Sequence, residues 1–328
     1  MAMALISRRE GRNFGYGRQL SYAGPQALKD LFTGGHFGTV RAHSDRWQAF
    51  VRWCRSEDGP GYNDARQIDR QTLRDYAAHL RQQIQQGELC VATAQNRLSS
   101  VNRTLAALRG DRSVRISSPS RELGYQRSTL RVVKPDGQDR QQMRRAIEAL
   151  QEQQNSRVAA ITLLARETGM RLRETILADL PRLNREAKEL GRINVQDGTK
   201  GGRTGALAPR WISVTDRVKS ALQLAMSVSP HGSRNLLDRD ETYSAFIREV
   251  VRPARKLLHE QGIKGLHMLR AAYACERYEQ LTGHAAPVNG GKCSRIDRGL
   301  DEGARQQISY ELGHNRIDVV TAYIGGRL

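Results

Sequence analysis

Toward the end of the chain, His267 stands three residues before Arg270, His314 follows a Leu312-Gly313 pair, and Tyr323 comes nine residues later. Positions i and i+3 share one face of a helix, so His267 and Arg270 can reach the same ligand. Gly313 ends a helix expected to begin near Asp301, which leaves His314 at an exposed joint. The stretch 318–323 reads as a short helix with the phenol late in it. Two imidazoles, a guanidinium and a phenol suit phosphoryl transfer, which needs a nucleophile, proton carriers and a clamp for charged oxygens. Further cations lie upstream. Gly169 closes one helix and turns the chain into another that runs to Leu180, so Arg171 sits at a helix N-terminus, where backbone N–H groups favour an anion. Lys200 stands at the tip of a glycine-rich turn, 197–203, between short strands expected at 193–195 and 211–214. The turn lacks the pattern G-x-x-x-x-G-K-[ST], so nucleotide hydrolysis is not implied.

The remaining elements must position these groups. The chain has 328 residues, 38% of them apolar, which is enough for two packed domains. Residues 1–35 are rich in Gly and Arg without sustained periodicity and read as a flexible basic arm. Over 36–110 the pattern is helical. Val40, Trp47, Phe50, Val51 and Cys54 form one stripe, Leu73, Tyr76, Ala77, Leu80 and Ile84 a second, and Val91, Ala94, Leu98, Val101, Leu105 and Leu108 a third. These stripes are core, and they predict a small helical bundle. Arg97 and Arg103 lie on the polar face of its third helix. Residues 111–137 lose periodicity and carry Arg131 and Lys134 among other cations. Such a segment is either a solvated loop or a basic linker that lets two lobes close round a duplex. The second lobe, 138–328, opens with helices over 139–151 and around Val158, Ile161, Leu164 and Ala165. A charged loop follows Leu180. Thr215 caps a further helix, and Tyr243, Phe246, Ile247 and Val250 mark one more before Pro253.

Charge narrows the partner. Lys plus Arg number 53 against 34 Asp plus Glu, a formal net charge of +19. A chain so basic attracts polyanions by counterion release, and nucleic acid is the expected one. The four cysteines show no paired C-x-x-C spacing, which speaks against a zinc ribbon or a disulfide framework and for reduced thiols. The apolar run 1–6 is too short for a signal peptide, and no membrane span is expected. A cytoplasmic, nucleoid-associated protein is the expectation.

Taken in order, Arg171, Lys200, His267, Arg270, His314 and Tyr323 resemble the signature of the tyrosine recombinase (phage integrase) family. The matching pieces are Thr168-Gly-Met-Arg171, Thr199-Lys200-Gly-Gly, His267-Met-Leu-Arg270, Leu312-Gly-His314 and Tyr323. The resemblance covers the whole second lobe, and the helical first lobe is similar to the family's core-binding domain. It implies a mainly α protein with a small β-sheet: a helical, DNA-binding N-terminal domain and an α+β catalytic domain. It also implies a site-specific recombinase that integrates or excises a mobile element through a 3′-phosphotyrosyl intermediate and a Holliday junction.

On that resemblance Tyr323 is the nucleophile, and Arg171 with Arg270 clamps the phosphate. Lys200 is the general acid for the leaving 5′-hydroxyl, and His314 hydrogen-bonds the phosphate. A free phenol ionises near pH ~10, so the clamp and His267 are the candidates for activating the tyrosine. Arg97, Arg103, Arg131, Lys134 and Arg203 are candidate DNA contacts. No cofactor or metal is required, because the phosphotyrosyl bond stores the energy of the broken strand. The implied partners are double-stranded attachment sites, a homo-tetramer on DNA, and accessory bending or directionality factors. Two other readings stay open: a type IB topoisomerase-like enzyme that reseals the same strand, and a catalytically silent DNA-binding protein. The sequence departs from the family pattern in having Ala271 after the H-x-L-R arginine and an inserted Gly/Pro/Arg-rich segment over 282–303. Only five residues follow the tyrosine, so the inserted segment is a candidate to replace a tail that docks on the neighbouring subunit.

Overall fold

The computed structural model describes residues 11–199, 209–292 and 296–327. The chain divides into two compact units, residues 1–128 and 129–328.

Among its described residues the first unit has five α-helices: α1 (Leu20–Leu31), α2 (Phe37–Cys54), α3 (Arg70–Gln85), α4 (Val91–Arg109) and α5 (Pro119–Leu123). Asp69 starts α3 with a reciprocal capping box to Thr72, and Gly110 ends α4 in the left-handed region. The three apolar stripes read from the sequence close on one another around Trp47, Phe50, Tyr76, Leu98 and Leu105, all fully buried. The expectation of a flexible arm over 1–35 is overturned for its described residues. Helix α1 packs on α2 and α4, burying Leu20, Ala23 and Leu28. Gly24 and Pro25 hid this helix in the sequence. The structure explains the glycine: a Cβ at Gly24 would lie 2.2 Å from the Trp47 ring, whose Nε1–H donates to the Leu20 carbonyl at 2.9 Å. The expected linker over 111–137 also dissolves. Its first part forms α5, which buries Leu123 in this core, and residues from 129 onward belong to the second unit.

The second unit is arranged around α7 (Ser156–Thr168), a nearly all-round buried helix packed against α6 (Arg140–Glu152), α10 (Asp216–Val228) and α13 (Leu266–Thr282). Between α7 and α10 come α8 (Leu172–Leu177), α9 (Leu180–Leu190) and an antiparallel pair, β1 (Arg192–Asn194) and β2 (Trp211–Ser213), with Ile193 opposite Ile212. Helix α8 ends three residues earlier than expected, and the supposed charged loop is α9. Asp179 caps its start, and Leu180, Leu183 and Ala187 form its buried stripe. Charge on the solvent face of an amphipathic helix had looked like a loop.

Helix α11 (Tyr243–Phe246) runs through one π turn into α12 (Arg252–Glu260). Helix α14 (Arg298–Glu311) starts earlier than Asp301 because the Asp297 side chain caps it. Part of the expected 282–303 insertion is therefore helix, with Asp301 buried and paired to Arg305 and Arg327. A short 3-10 turn, Ile317–Val320, leads into α15 (Thr321–Ile324).

Candidate active site

Two helix ends build the floor of the site. Helix α7 stops at Gly169 (φ 63°) and α14 at Gly313 (φ 64°), both in the left-handed region. Gly169 also has no room for a side chain, since a Cβ would come within 2.5 Å of Tyr273 and 2.9 Å of Leu312. Each helix end leaves a carbonyl without an intrahelical partner. Arg270, fully buried on α13, donates to both: Nη1–H to the Gly169 carbonyl and Nη2–H to the Leu312 carbonyl. The negative ends of two helix dipoles thus hold a guanidinium that makes no ion pair with a carboxylate among the described residues.

The nucleophile candidate closes over this cation. Arg270 Nε–H donates to the Tyr323 hydroxyl at 3.3 Å. His314 Nε2 stands 2.9 Å from that hydroxyl and 3.2 Å from Arg270 Nη2. Guanidinium has only donors, so Nε2 is the acceptor in this network and the imidazole proton sits on Nδ1. Burial first, then Arg270, Arg171, Arg210 and Arg316, pull the His314 pKa down to about 4, which keeps the ring neutral and able to accept. The expectation for His314 changes accordingly. It is half-buried rather than exposed, and its partner is the phenol. His267 lies beside the ring, 5.8 Å between centroids, with one edge open to solvent. Partial desolvation and then Arg270, Arg131 and Arg171 lower its pKa. The Arg270 pKa is drawn down to about 9, by burial and then by Arg210 and Arg171, which still leaves it charged at neutral pH.

Arg171 reaches the same centre, 3.4 Å from the Leu312 carbonyl through Nη2. It is aimed by Glu174, one turn along α8. The Glu174 carboxylate is fully buried and accepts from the Arg171 backbone N–H at 2.6 Å and from Arg171 Nη1 at 2.6 Å. It also accepts from Arg210 Nη1 at 2.6 Å. Burial alone would raise the Glu174 pKa, but Arg210 and then Arg171 hold it down to about 2. Arg210, just ahead of β2, also donates to the carbonyls of Glu311 and Gly169. Arg171 and Arg210 therefore share the Glu174 carboxylate, while Arg270 meets the Tyr323 hydroxyl with no carboxylate partner of its own among the described residues. A phosphodiester would supply the missing anion, and its transition state more so.

The structure brings together Arg171, His267, Arg270, His314 and Tyr323 from four separate stretches of sequence. Lys200 and Arg203 lie outside the described residues. Of the other candidate DNA contacts, Lys134 is exposed, Arg97 lies 3.5 Å from Gln83 and Arg103 rests over the Phe32 ring. Arg131 does not project from a linker: it bonds to the backbone of α15. Sequence reasoning missed Glu174 and Arg210. Glu174 stands at i+3 from Arg171, a spacing that was visible. Nothing local marks Arg210, which comes within reach only through the fold. Among the described residues no cluster of His, Cys, Asp or Glu could hold a metal ion, and no helix is long and apolar enough to cross a membrane. Cys54, Cys90 and Cys275 are free.

Residues 129–276 match the Integrase family model. The match falls within the second unit and includes Arg171, His267 and Arg270. Solved integrase structures share the chain's fold over nearly its whole length. The Tn1549 transposon integrase in complex with transposon right end DNA superposes with a TM-score of 0.57 at 13% identity, over 93% of this chain and 95% of that one. A lambda integrase dimer bound to a core site gives 0.55 at 16% identity, over 91% and 92%. A lambda integrase tetramer bound to a Holliday junction gives 0.52 at 16%, over 89% and 73%. No curated protein matches the chain at a significant level.

Proposed function

We propose that this protein is a site-specific recombinase that cuts and rejoins DNA strands through Tyr323, most naturally to integrate or excise a mobile element. The observation that carries this reading is the Tyr323 hydroxyl held between neutral His314 and buried, carboxylate-free Arg270. The phenol oxygen attacks a backbone phosphorus and its proton passes to His314 Nε2. The new imidazolium then donates to the phosphate that has formed beside it. Arg171 and Arg270 neutralise the charge growing on the non-bridging oxygens. The bond from phosphorus to the 5′-oxygen breaks, and Lys200 is assigned the proton that this oxygen takes up. The 3′-phosphotyrosyl link preserves the bond energy, so the 5′-hydroxyl of another strand reverses each step and completes exchange.

Duplex attachment sites are the proposed partners, with tetramer assembly and a Holliday junction as the lambda integrase complex displays. The first unit, with Arg97 and Arg103, is assigned to DNA binding, and the protein to the nucleoid of the cytoplasm. Accessory bending or directionality factors complete the proposed set.

The test starts from a pool of nicked duplexes of random sequence, in which a cut strand loses its 5′ end and traps the adduct. The wild type is expected to yield an SDS-resistant protein–DNA species, and Tyr323→Phe to bind the recovered duplexes but yield none. An adduct in the variant overturns the nucleophile assignment, and no adduct with the wild type overturns the reading itself. A two-duplex substrate beside a supercoiled plasmid then separates strand exchange from same-strand resealing.

A further inference from the structure

Helix α15, which carries Tyr323, is four residues long. One turn of helix fixes its backbone for almost no internal hydrogen bonding and does not hold itself together. Its carbonyls are instead tied from outside. Cys275 Sγ–H on α13 reaches the Tyr323 carbonyl at 3.6 Å. The other two ties come from one residue at the very start of the second unit. The Arg131 backbone N–H donates to the Thr321 carbonyl at 3.1 Å, and its Nε–H donates to the Ala322 carbonyl at 3.1 Å. Both Nη atoms of Arg131 lie 3.7 Å from Met268 Sδ, and Nη1–H donates to the Val133 carbonyl at 3.3 Å. Met268 sits on α13 between His267 and the buried Leu269, two residues before Arg270.

We infer that Arg131 is a positioning residue, a latch that fixes the nucleophile turn against the helix bearing His267 and Arg270, and not a DNA contact. The inference rests on the proposed role of Tyr323. Its physical basis is the guanidinium's fixed fork: Nε points along the backbone of α15 while the Nη pair lies against the thioether. A lysine supplies the same charge at a single point and cannot do both. Without the side-chain tie, α15 keeps the bonds from the Arg131 backbone and Cys275, so the unit still folds, but the Tyr323 oxygen loses its fixed distance to His314. Misplacement by about 1 Å costs on the order of 10²-fold in rate.

The test compares Arg131→Ala and Arg131→Lys with the wild type on a nicked duplex from the random pool. Both variants are expected to form the phosphotyrosyl adduct about 10²-fold more slowly in single turnover. Their DNA affinity, salt dependence and melting temperature should match the wild type. Recovery of the rate by Arg131→Lys, or a salt slope reduced by about one charge in Arg131→Ala, assigns Arg131 to a phosphate and overturns the latch. So does an unchanged cleavage rate in Arg131→Ala. Amide hydrogen exchange gives a readout free of chemistry: residues 321–325 should exchange faster in both variants while α13 and α14 are unaffected. Unchanged exchange there sinks the latch whatever the cleavage assay gives, whereas absence of a wild-type adduct counts against the recombinase reading alone.

Discussion

Replacing Glu174 with glutamine removes a charge at nearly constant shape from the point where Arg171 and Arg210 meet. The size of the effect follows from the burial and the pairing. The carboxyl is completely inaccessible and is held at about 2, against 4.5 for a free glutamate. That difference is worth about 3 kcal/mol of stability at neutral pH, in line with the ~3–5 kcal/mol typical of breaking one side of a buried ion pair. For a unit of about 200 residues this lowers Tm by about 6–12 °C. Because the folded pKa is depressed, the stabilisation is complete above the unfolded pKa and is lost as pH falls toward 2. At pH 3.5 roughly a third to a half of it has gone. Calorimetry of wild type and Glu174→Gln at pH 7.5 and 3.5 should therefore show a large gap that narrows in acid. Single-turnover cleavage should fall by roughly 10²-fold, since Arg171 is no longer aimed. A variant that melts within about 1 °C of the wild type at pH 7.5, or a gap that widens in acid, would refute the view that Glu174 is the counter-charge of the clamp.

His314 should remain neutral in the DNA-free protein from pH 8 to pH 5, because burial and four arginines hold its pKa at about 4. An NMR titration that shows this ring protonating near the usual imidazole value would remove it as the proton acceptor. Cleavage should persist in excess EDTA without nucleotide, as guanidiniums supply the positive charge, and activity restored only by added magnesium would point to metal-assisted hydrolysis. Affinity for duplex DNA should fall steeply between 50 and 200 mM salt, on the order of 10³-fold for six or more phosphate contacts. A flat response would mean that the net charge of +19 is not directed at DNA.

The sequence by itself singled out the candidate site residues and most of the packing. The i, i+3 pair His267 and Arg270, the glycine turns before Arg171 and His314, and the apolar stripes of α2, α3 and α4 are local patterns, set by helical periodicity and by glycine's access to positive φ. It failed where a local rule was overruled by a distant partner. Helix α1 survives Gly24 and Pro25 because Trp47 occupies the space a side chain would need. Helix α9 hid its three buried residues behind charge, and α14 began at a cap, Asp297, set inside an apparent insertion.

Only the tertiary structure decided how the site is held. Arg210 meets Glu174 across 36 residues, Arg270 meets the ends of two helices across 101 and 42, and Arg131 meets Ala322 across 191. It also exchanged the imidazole facing the phenol, placing His314 on the Tyr323 hydroxyl where His267 had been expected. Buried charges and orphan carbonyls must find partners wherever the folded chain offers them. That demand acts through space, and spacing along the sequence does not record it.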